Sequence, residues 1–242
     1  MAEGRLSLLA VFAHPDDETF RPGGTLALLA RHGVGVHVLT VTRGQAGSRG
    51  DPPLCEIKDL PAMRERELRC ACAALGLEPP HLLDYEDGHL LDANPEAITA
   101  AIHDCAASVR PQVMLTFGED GLSGHPDHIA IGRFAAQAFA ASDLGAALYT
   151  LAVPHSLAEQ LEMPQVHAVP DEQIALRVDI SRAWEAKKAA MACHATQRGS
   201  MPLMSASEAR QRLFFAREFF VLAACRTRES DFMPVLLRDH RL

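Results

Sequence analysis

The first 140 residues alternate between short apolar runs and helix-like segments, and this alternation narrows the possible folds more than any other feature. "LSLLAVFAH" (Leu6–His14) and "VGVHVLTVTRG" (Val34–Gly44) are near-continuous apolar runs, as in buried parallel strands. Between them, "GGTLALLARHG" predicts a helix that begins at Gly23 and stops at Gly33. Strands that alternate with helices form βαβ units. The sequence therefore predicts an α/β, Rossmann-like fold whose mostly parallel sheet carries helices on both faces.

The same pattern continues along the chain and then becomes less regular. Further strands are predicted at "HLLDYEDG" and "QVMLTFG", and further helices at residues 60–75, "NPEAITAAIHDCAASV" and "GHPDHIAIGRFAAQAFAAS". In the second half, "AALYTLAVPH" and "QIALRVDI" predict strands, and "SRAWEAKKAAMACHATQ" predicts a helix with Ser181 as its N-cap. The last segment, "SEARQRLFFAREFFVLAAC", is predicted to begin as a helix and end as a strand. No linker divides the chain, so we predict a single domain over residues 1–242, with a core from about 5 to 200.

Composition and charge exclude several classes of protein. The hydrophobic fraction of 48% over 242 residues is enough for a sizeable core and argues against a disordered chain. The formal charge of −8 argues against a nucleic-acid surface. No segment approaches the roughly 18 apolar residues of a membrane span, and the N-terminus lacks the features of a signal peptide. These features predict a cytoplasmic protein that does not bind nucleic acid and has no membrane span.

The cysteine spacing gives no sign of a metal cluster or of disulfide bonds. No C-x-x-C pair occurs, and Cys70 and Cys72 point in different directions on a predicted helix. We therefore predict that all the cysteines are reduced and mostly buried as small apolar residues. The six are Cys55, Cys70, Cys72, Cys105, Cys193 and Cys225.

The string His-Pro-Asp occurs twice, each time where a predicted strand ends. "AHPDDE" follows the first strand, and "SGHPDH" (Ser123–His128) follows the fourth. A single copy is typical of a surface turn, because proline pre-sets the turn and aspartate caps it. Two copies at equivalent positions favour a site, because ligands of open α/β sheets bind beyond the carboxyl ends of the strands.

Three residues in these two strings have the donor types of a catalytic zinc site. His14 and Asp17 are three residues apart around Pro15, and His128 lies in the first turn of the following helix. Two imidazoles and one carboxylate, with water in the fourth position, are the pattern of an open zinc site. Zinc lowers the pKa of its bound water to about 7. Another divalent ion such as Fe²⁺ fits the same donors.

The neighbouring residues complete a hydrolytic mechanism. Asp16 adjoins a predicted ligand and is free to act as general base. His125 lies three residues before His128, and we expect it on the same helical face, where it would stabilise an oxyanion and protonate the leaving group. Asp127 is expected to hold the ring of His125 and keep it protonated.

"AHPDDE" and "GHPDH" together resemble the LmbE-like (PIG-L) family of zinc-dependent N-deacetylases. "RERELRCACAALG" (Arg64–Gly76) resembles the R-x-x-E helix of the family, and "DYEDGHL" its D-G-x-L loop. "KKAAMACHATQ" (Lys187–Gln197) resembles its later K-x-x-A-x-x-x-H-x-[ST]-Q helix. The resemblance implies a Zn²⁺-dependent hydrolase that removes the acetyl group of an N-acetylglucosamine-type small molecule.

Residue by residue, the resemblance implies the same metal, base and electrostatic groups as the spacing does. It adds Arg64, which would hold an anionic or hydroxyl part of the substrate, and Asp87, which would lie near the sugar. Two positions on the substrate rim depart from the family. Gln45 stands where a glutamate is common, and Ser123 where some members have a tyrosine. Both are candidate substrate-binding residues, and their identity leaves the substrate open.

Three functions remain open from the sequence. The first is the deacetylase of an amino sugar, and the second is an amidase that acts on a thiol conjugate or on the acyl amide of a natural product. The third is a non-catalytic protein. A nucleotide- or sugar-binding protein is disfavoured because "HPDDE" replaces a G-x-G-x-x-G fingerprint after the first strand, and a metal-binding regulator is disfavoured because Asp16, His125 and Asp127 are all present. A homo-oligomer is compatible with each of them.

Overall fold

The backbone of the protein is organised by a seven-stranded sheet. The computed structural model describes residues 5–143, 145–200 and 202–240. The strands are β1 (Ser7–Phe12), β2 (Gly35–Thr42), β3 (His81–Tyr85), β4 (Val113–Phe117), β5 (Ala147–Ala152), β6 (Leu176–Asp179) and β7 (Arg217–Cys225). Their order is β3-β2-β1-β4-β5-β7-β6. The first five are parallel, and β7 runs antiparallel to both β5 and β6. The predicted α/β, mostly parallel sheet is confirmed.

Helices lie in two groups that pack against this sheet. They are α1 (Asp17–Phe20), α2 (Gly23–Arg31), α3 (Leu60–Leu75), α4 (Pro95–Val109), α5 (Pro126–Ala141), α6 (His155–Gln160), α7 (Trp184–Cys193), α8 (Glu208–Phe215) and α9 (Met233–Leu236). Contacts join α2, α3 and α7 in one group, and α4 and α5 in the other. This is the expected two-layer cover of a parallel sheet. None of the described helices is long and apolar enough to cross a membrane.

Local sequence signals set several of these boundaries. Helix α3 ends at Gly76, whose φ of 75° is left-handed, as glycine allows. The side chain of Asn94 caps α4 as predicted, because its oxygen accepts from two backbone N–H groups of the first turn. Gly132 lets α5 approach β4 closely, since a Cβ at this position would lie 2.6 Å from the carbonyl oxygen of Phe117. This approach brings the start of α5 to the carboxyl end of β4.

Two details of the C-terminal half differ from the sequence-based expectation. Ser181 does not cap the α-helix, because its N–H and hydroxyl both donate to Asp179, and α7 begins only at Trp184 after a 3-10 turn. Strand β7 lies between β5 and β6, so the sheet extends beyond the core limit of residue 200 that we predicted. The domain boundary at 1–242 stays a prediction.

The cysteines correct a further prediction. Cys70 on α3 and Cys193 at the end of α7 form a disulfide, so these two are not reduced thiols. Cys225 is exposed rather than buried, whereas Cys72 is buried as expected. The two bonded residues are 123 positions apart, which spacing rules cannot detect. Because disulfides persist mainly in oxidising compartments, the bond weighs against the cytoplasmic location, which stays a prediction.

We expect the double variant Cys70→Ser/Cys193→Ser to unfold at lower urea concentration than the wild type. The bond closes a loop of more than a hundred residues, and such cross-links contribute ~2–4 kcal/mol. Peptide mapping without reductant should recover the linked peptides, and Cys225→Ser is the matched control. Six free thiols in the folded protein would show that the bond does not form.

Candidate active site

The two His-Pro-Asp loops meet at the carboxyl ends of β1 and β4, which are neighbours in the sheet. A cavity of about 510 Å³ opens there. Its volume lies within the usual range of small-molecule sites, roughly 300–1,000 Å³. His14, Asp16, Asp17, His125 and His128 all line it. The predicted position of the site, where the strand order reverses, agrees with this geometry.

Three of these side chains bring electron-rich atoms to one point. His14 Nδ1 lies 3.2 Å from His128 Nε2, and that nitrogen lies 3.3 Å from Asp17 Oδ1. Asp17 Oδ2 lies 3.8 Å from His14 Nδ1. For metal–ligand bonds of ~2.0–2.1 Å, two ligands of a tetrahedral zinc ion are about 3.3 Å apart. The spacing is therefore compatible with a metal ion at this point. Possible ligand atoms also come together in two other groups, His14 with His125 and His128, and His14 with Asp87 and Asp127.

The opposite nitrogens of the two rings fix their orientation. His14 Nε2 lies 2.9 Å from Asp87 Oδ1 and 3.1 Å from Asp127 Oδ2. His128 Nδ1 lies 3.3 Å from the carbonyl oxygen of Gly121. Acceptors at these nitrogens place the ring protons there and turn the lone pairs of the other nitrogens towards the shared point. The same arrangement orients histidine ligands in metalloproteins.

Charge around His14 supports the same interpretation. Burial disfavours charge on this ring, but hydrogen bonds to Asp127 and Asp87 outweigh it and raise the pKa of His14 to about 10. Burial also opposes the charge of Asp17, yet His128 and His14 hold its pKa far below the usual value. The cluster favours positive charge, which a proton or a metal cation can supply.

Asp127 and Asp87 differ from their predicted positions. Asp127 is fully buried, and its carboxylate accepts from the N–H groups of Gly88 (2.7 Å) and Leu90 (3.0 Å) as well as facing His14. It does not contact the ring of His125 through this carboxylate. Asp87 accepts from the N–H of Ala46 at 2.9 Å. Burial opposes ionisation of both acids, but their hydrogen bonds lower the pKa of each. Both acids therefore orient His14, although Asp87 also lines the cavity.

His125 is the N-cap of α5 and not a member of its helical face. Its Nδ1 accepts from the N–H of Asp127 at 3.2 Å, so the proton of the neutral ring sits on Nε2. The ring stacks on His128 with centroids 4.7 Å apart. Burial and the neighbouring rings of His128 and His14 lower the pKa of His125. The structure thus presents His125 with Nδ1 as an acceptor and Nε2–H as a donor, while the charge of Asp127 acts to raise the pKa of the ring. That Asp127 keeps His125 protonated stays a prediction.

Asp16 has a strained backbone. Its φ is 127°, a region that residues with a Cβ rarely adopt, and such strain costs roughly 1–3 kcal/mol. Glu18 Oε2 accepts from the N–H of Asp16 at 2.9 Å. Arg64 Nη2 donates to Asp16 Oδ2 at 2.9 Å and also to the carbonyl oxygen of Pro15. Burial raises the pKa of Asp16 to about 6, against the opposing effect of Arg64.

Arg64 is buried and engaged with the protein itself. Besides its bonds to the first loop, its Nη1 donates to the carbonyl oxygen of Gly44 at 3.0 Å. A Cβ at Gly44 would lie 2.0 Å from that nitrogen, so the glycine makes room for the guanidinium. Only Nε lacks a partner among the described residues. The structure therefore shows Arg64 as a support for Asp16. It also lines the cavity, and its contact with substrate stays a prediction.

Sequence reasoning missed a buried pair behind Asp16. Glu18 and His194 are both fully buried, and His194 Nε2 lies 2.8 Å from Glu18 Oε1. Thr19 Oγ1 donates to the same oxygen of Glu18. Burial disfavours charge on His194, but Glu18 raises its pKa. The third acid of "HPDDE" and the histidine of "KKAAMACHATQ" were the available signals, but nothing in the sequence linked them.

Gln45 and Ser123, the two residues predicted at the substrate rim, have different surroundings. Gln45 braces its own loop, because its Nε2 donates to the carbonyl oxygen of Tyr85 at 3.1 Å and its Oε1 accepts from the N–H of Arg43. Ser123 lines the cavity and is exposed to it. Of the two, Ser123 is placed to meet a substrate.

Paired imidazoles, a carboxylate donor and a second carboxylate beside them define a metal-dependent hydrolase site at the edge of an α/β sheet. A family model described as PIG-L, GlcNAc-PI de-N-acetylase, matches residues 9–139. The chain belongs to the PIG-L family, whose members are metal-dependent N-deacetylases, and it is an enzyme of that type.

Similar proteins agree with this assignment. The chain is 33% identical over 237 residues to the 1D-myo-inositol 2-acetamido-2-deoxy-alpha-D-glucopyranoside deacetylase of Thermobifida fusca (strain YX), covering 78% of this chain and 82% of the relative. The N,N'-diacetylchitobiose deacetylase of Pyrococcus horikoshii aligns with a TM-score of 0.69 at 21% identity, over 91% of this chain and 84% of that one. The 4-carboxy-2-hydroxymuconate hydratase of Pseudomonas putida KT2440 aligns with a TM-score of 0.67 at 21% identity, over 92% and 98%. Such distant structures share the fold, which also carries other chemistry.

We expect Asp127→Asn and Asp87→Asn to weaken metal binding. Each change removes a carboxylate that orients the ring of His14, and such losses typically cost ~10–100-fold in metal affinity. Competition with a chromogenic chelator measures the effect. Asp92→Asn, an exposed acid of the same loop, is the control. Unchanged affinity in both variants would show that these two carboxylates do not orient a metal-binding ring.

We expect Glu18→Ala to lower kcat more than it raises KM at saturating metal. The N–H of Asp16 loses its acceptor, and a displacement of ~1 Å can cost ~100-fold in rate. Glu18→Gln keeps an acceptor oxygen and should recover part of kcat. Steady-state kinetics on folded variants measure both constants. Equal kcat in Glu18→Ala and the wild type would exclude this support.

Proposed function

We propose that the protein removes the acetyl group from the amide nitrogen of an N-acetylglucosamine-type small molecule. The proposal rests on His14, Asp17 and His128, whose nearest donor atoms lie 3.2 to 3.8 Å apart and face a cavity beside the strained Asp16. The substrate class follows from the relatives, whose names describe deacetylation of an amino sugar. In this reaction the enzyme hydrolyses the linear amide C–N bond between the acetyl group and the amino sugar.

We infer that the metal is Zn²⁺ and that His14, Asp17 and His128 hold it. Two neutral nitrogens and one carboxylate oxygen suit zinc, and Fe²⁺ is the other divalent ion that such a set accepts. Bound at this point, the ion would supply Lewis-acid polarisation and a lowered pKa for water. Metal analysis of the purified protein distinguishes the two ions.

Asp16 acts as the general base in this proposal. Its carboxylate lines the cavity next to Asp17, and its pKa of about 6 lies close to a neutral working pH. Arg64 binds one oxygen, Oδ2, and the other oxygen is left to accept a proton from water. The strained backbone directs this carboxylate into the cavity, which is the use of strain expected at a functional site.

His125 supplies the electrophilic group. The N–H of Asp127 occupies its Nδ1, so its Nε2–H is available to the carbonyl oxygen of the acetyl group as negative charge develops. The proton that Asp16 has taken from water is the one available to the departing amine, because loss of the Nε2 proton would leave the ring of His125 as an anion. Ser123 at the rim offers a hydroxyl for the sugar. A homo-oligomer stays a prediction.

We expect a chelator to abolish deacetylation of N-acetylated amino sugars and added Zn²⁺ to restore it. Asp16→Asn keeps the shape of the side chain but cannot accept a proton, so kcat should fall by ~10²–10⁴-fold. Released acetate is the measurement, and the variant must still bind metal. If Asp16→Asn turns over at the wild-type rate, the general base lies elsewhere.

A further inference from the structure

A second arginine lines the same cavity. Arg21 follows α1 directly and borders the cavity together with Asp17 and His128. Its Cζ lies 4.2 Å above the ring centroid of Phe214. Stacking on an aromatic ring fixes the plane of a guanidinium and leaves its edge N–H groups free to donate. Arg21 also lines a small second pocket with Phe214, Lys187 and Glu218, so its oriented cation stands between this pocket and the large cavity.

The N–H groups of this guanidinium have no acceptor among the described residues. The negative charge of Glu218 raises the pKa of Arg21, but the oxygens of Glu218 accept hydrogen bonds from other groups. They accept from Lys187 Nζ at 2.7 Å and from the N–H groups of Gly24 and Thr25 at 2.8 and 2.7 Å. A partly buried charge without hydrogen-bond partners is unfavourable, so this position favours an anionic ligand.

Arg64, the other arginine that lines the cavity, already uses its terminal N–H groups within the protein. Arg64 uses its terminal nitrogens on Asp16 and on two backbone carbonyls. Burial lowers the pKa of Arg21 only to about 10, so it stays charged at neutral pH. A planar guanidinium fork matches the paired oxygens of a phosphate or a carboxylate.

We propose that Arg21 binds an anionic oxyacid group of the substrate, so that the physiological substrate is an acidic N-acetyl amino sugar. This inference rests on the proposed deacetylation of amino sugars. The three acids that line the cavity do not oppose it, because Asp16 is paired with Arg64, Asp87 with His14, and Asp17 is assigned to the metal. The anionic group and the acetyl group then occupy different ends of one ligand.

The zinc-loaded wild-type enzyme is tested with three matched sugars. They are the methyl glycoside of N-acetylglucosamine, N-acetylglucosamine 1-phosphate and its O1-carboxymethyl analogue. We expect KM for one anionic sugar to be at least ~10-fold lower than for the neutral one, which corresponds to ~1.4 kcal/mol. The two anionic arms show whether phosphate or carboxylate is preferred. The same comparison by calorimetry on Asp16→Asn needs no turnover.

Variants then assign the preference to Arg21. Arg21→Gln should reduce the ratio of neutral to anionic KM to near one, and Arg21→Lys, which keeps charge but not the fork, should retain part of it. Arg66→Gln on the exposed side of α3 is the matched control and should leave both constants unchanged. Thermal unfolding checks that each variant is folded.

The outcomes separate the two proposals. If all three sugars are deacetylated with similar KM, the Arg21 proposal is wrong and the deacetylase proposal stands. If none releases acetate but the anionic sugars bind more tightly in an Arg21-dependent way, deacetylation of amino sugars fails and the anion site stands. If Arg21→Gln weakens neutral and anionic sugars equally, Arg21 only packs on Phe214 and the inference is overturned.

Discussion

The close approach of His14, Asp17 and His128 is the constraint around which the rest of the site is arranged. Three electron-rich atoms within 3.8 Å repel one another unless positive charge lies among them. The fold keeps them together because β1 and β4 are adjacent and end at the same edge of the sheet. Asp87 and Asp127 then increase the demand for positive charge while they fix the ring of His14.

The adjacent acids of "HPDDE" have three separate environments, which explains why the cluster is tolerated. Asp17 faces the two histidine rings, Asp16 faces the cavity, and Glu18 points inward to His194. The left-handed backbone at Asp16 makes this divergence possible, because it turns neighbouring side chains in directions that a regular helix or strand would not allow. The strained backbone at Asp16 is therefore also what keeps the three carboxylates apart.

The elements that local signals control could be predicted from the sequence. Helix α3 has the predicted bounds, Asn94 caps its helix, and both His-Pro-Asp strings lie at strand ends. The relations that were missed join residues far apart in the chain. Arg64 donates to the first loop, and Glu18 pairs with a histidine 176 positions away. Pattern and propensity carry no information about such pairs, because tertiary packing alone brings them together.

The disulfide connects these distant supports in a way that its surface position does not suggest. Arg64 lies on α3 with Cys70, and His194 directly follows Cys193 at the end of α7. Helix α3 holds the carboxylate of Asp16 through Arg64, and the end of α7 holds its backbone through His194 and Glu18. The disulfide joins these two helices covalently. A cross-link between surface helices therefore also acts as a fixed spacer for Asp16, the proposed general base. The position of this carboxylate is set from outside the cavity that it lines.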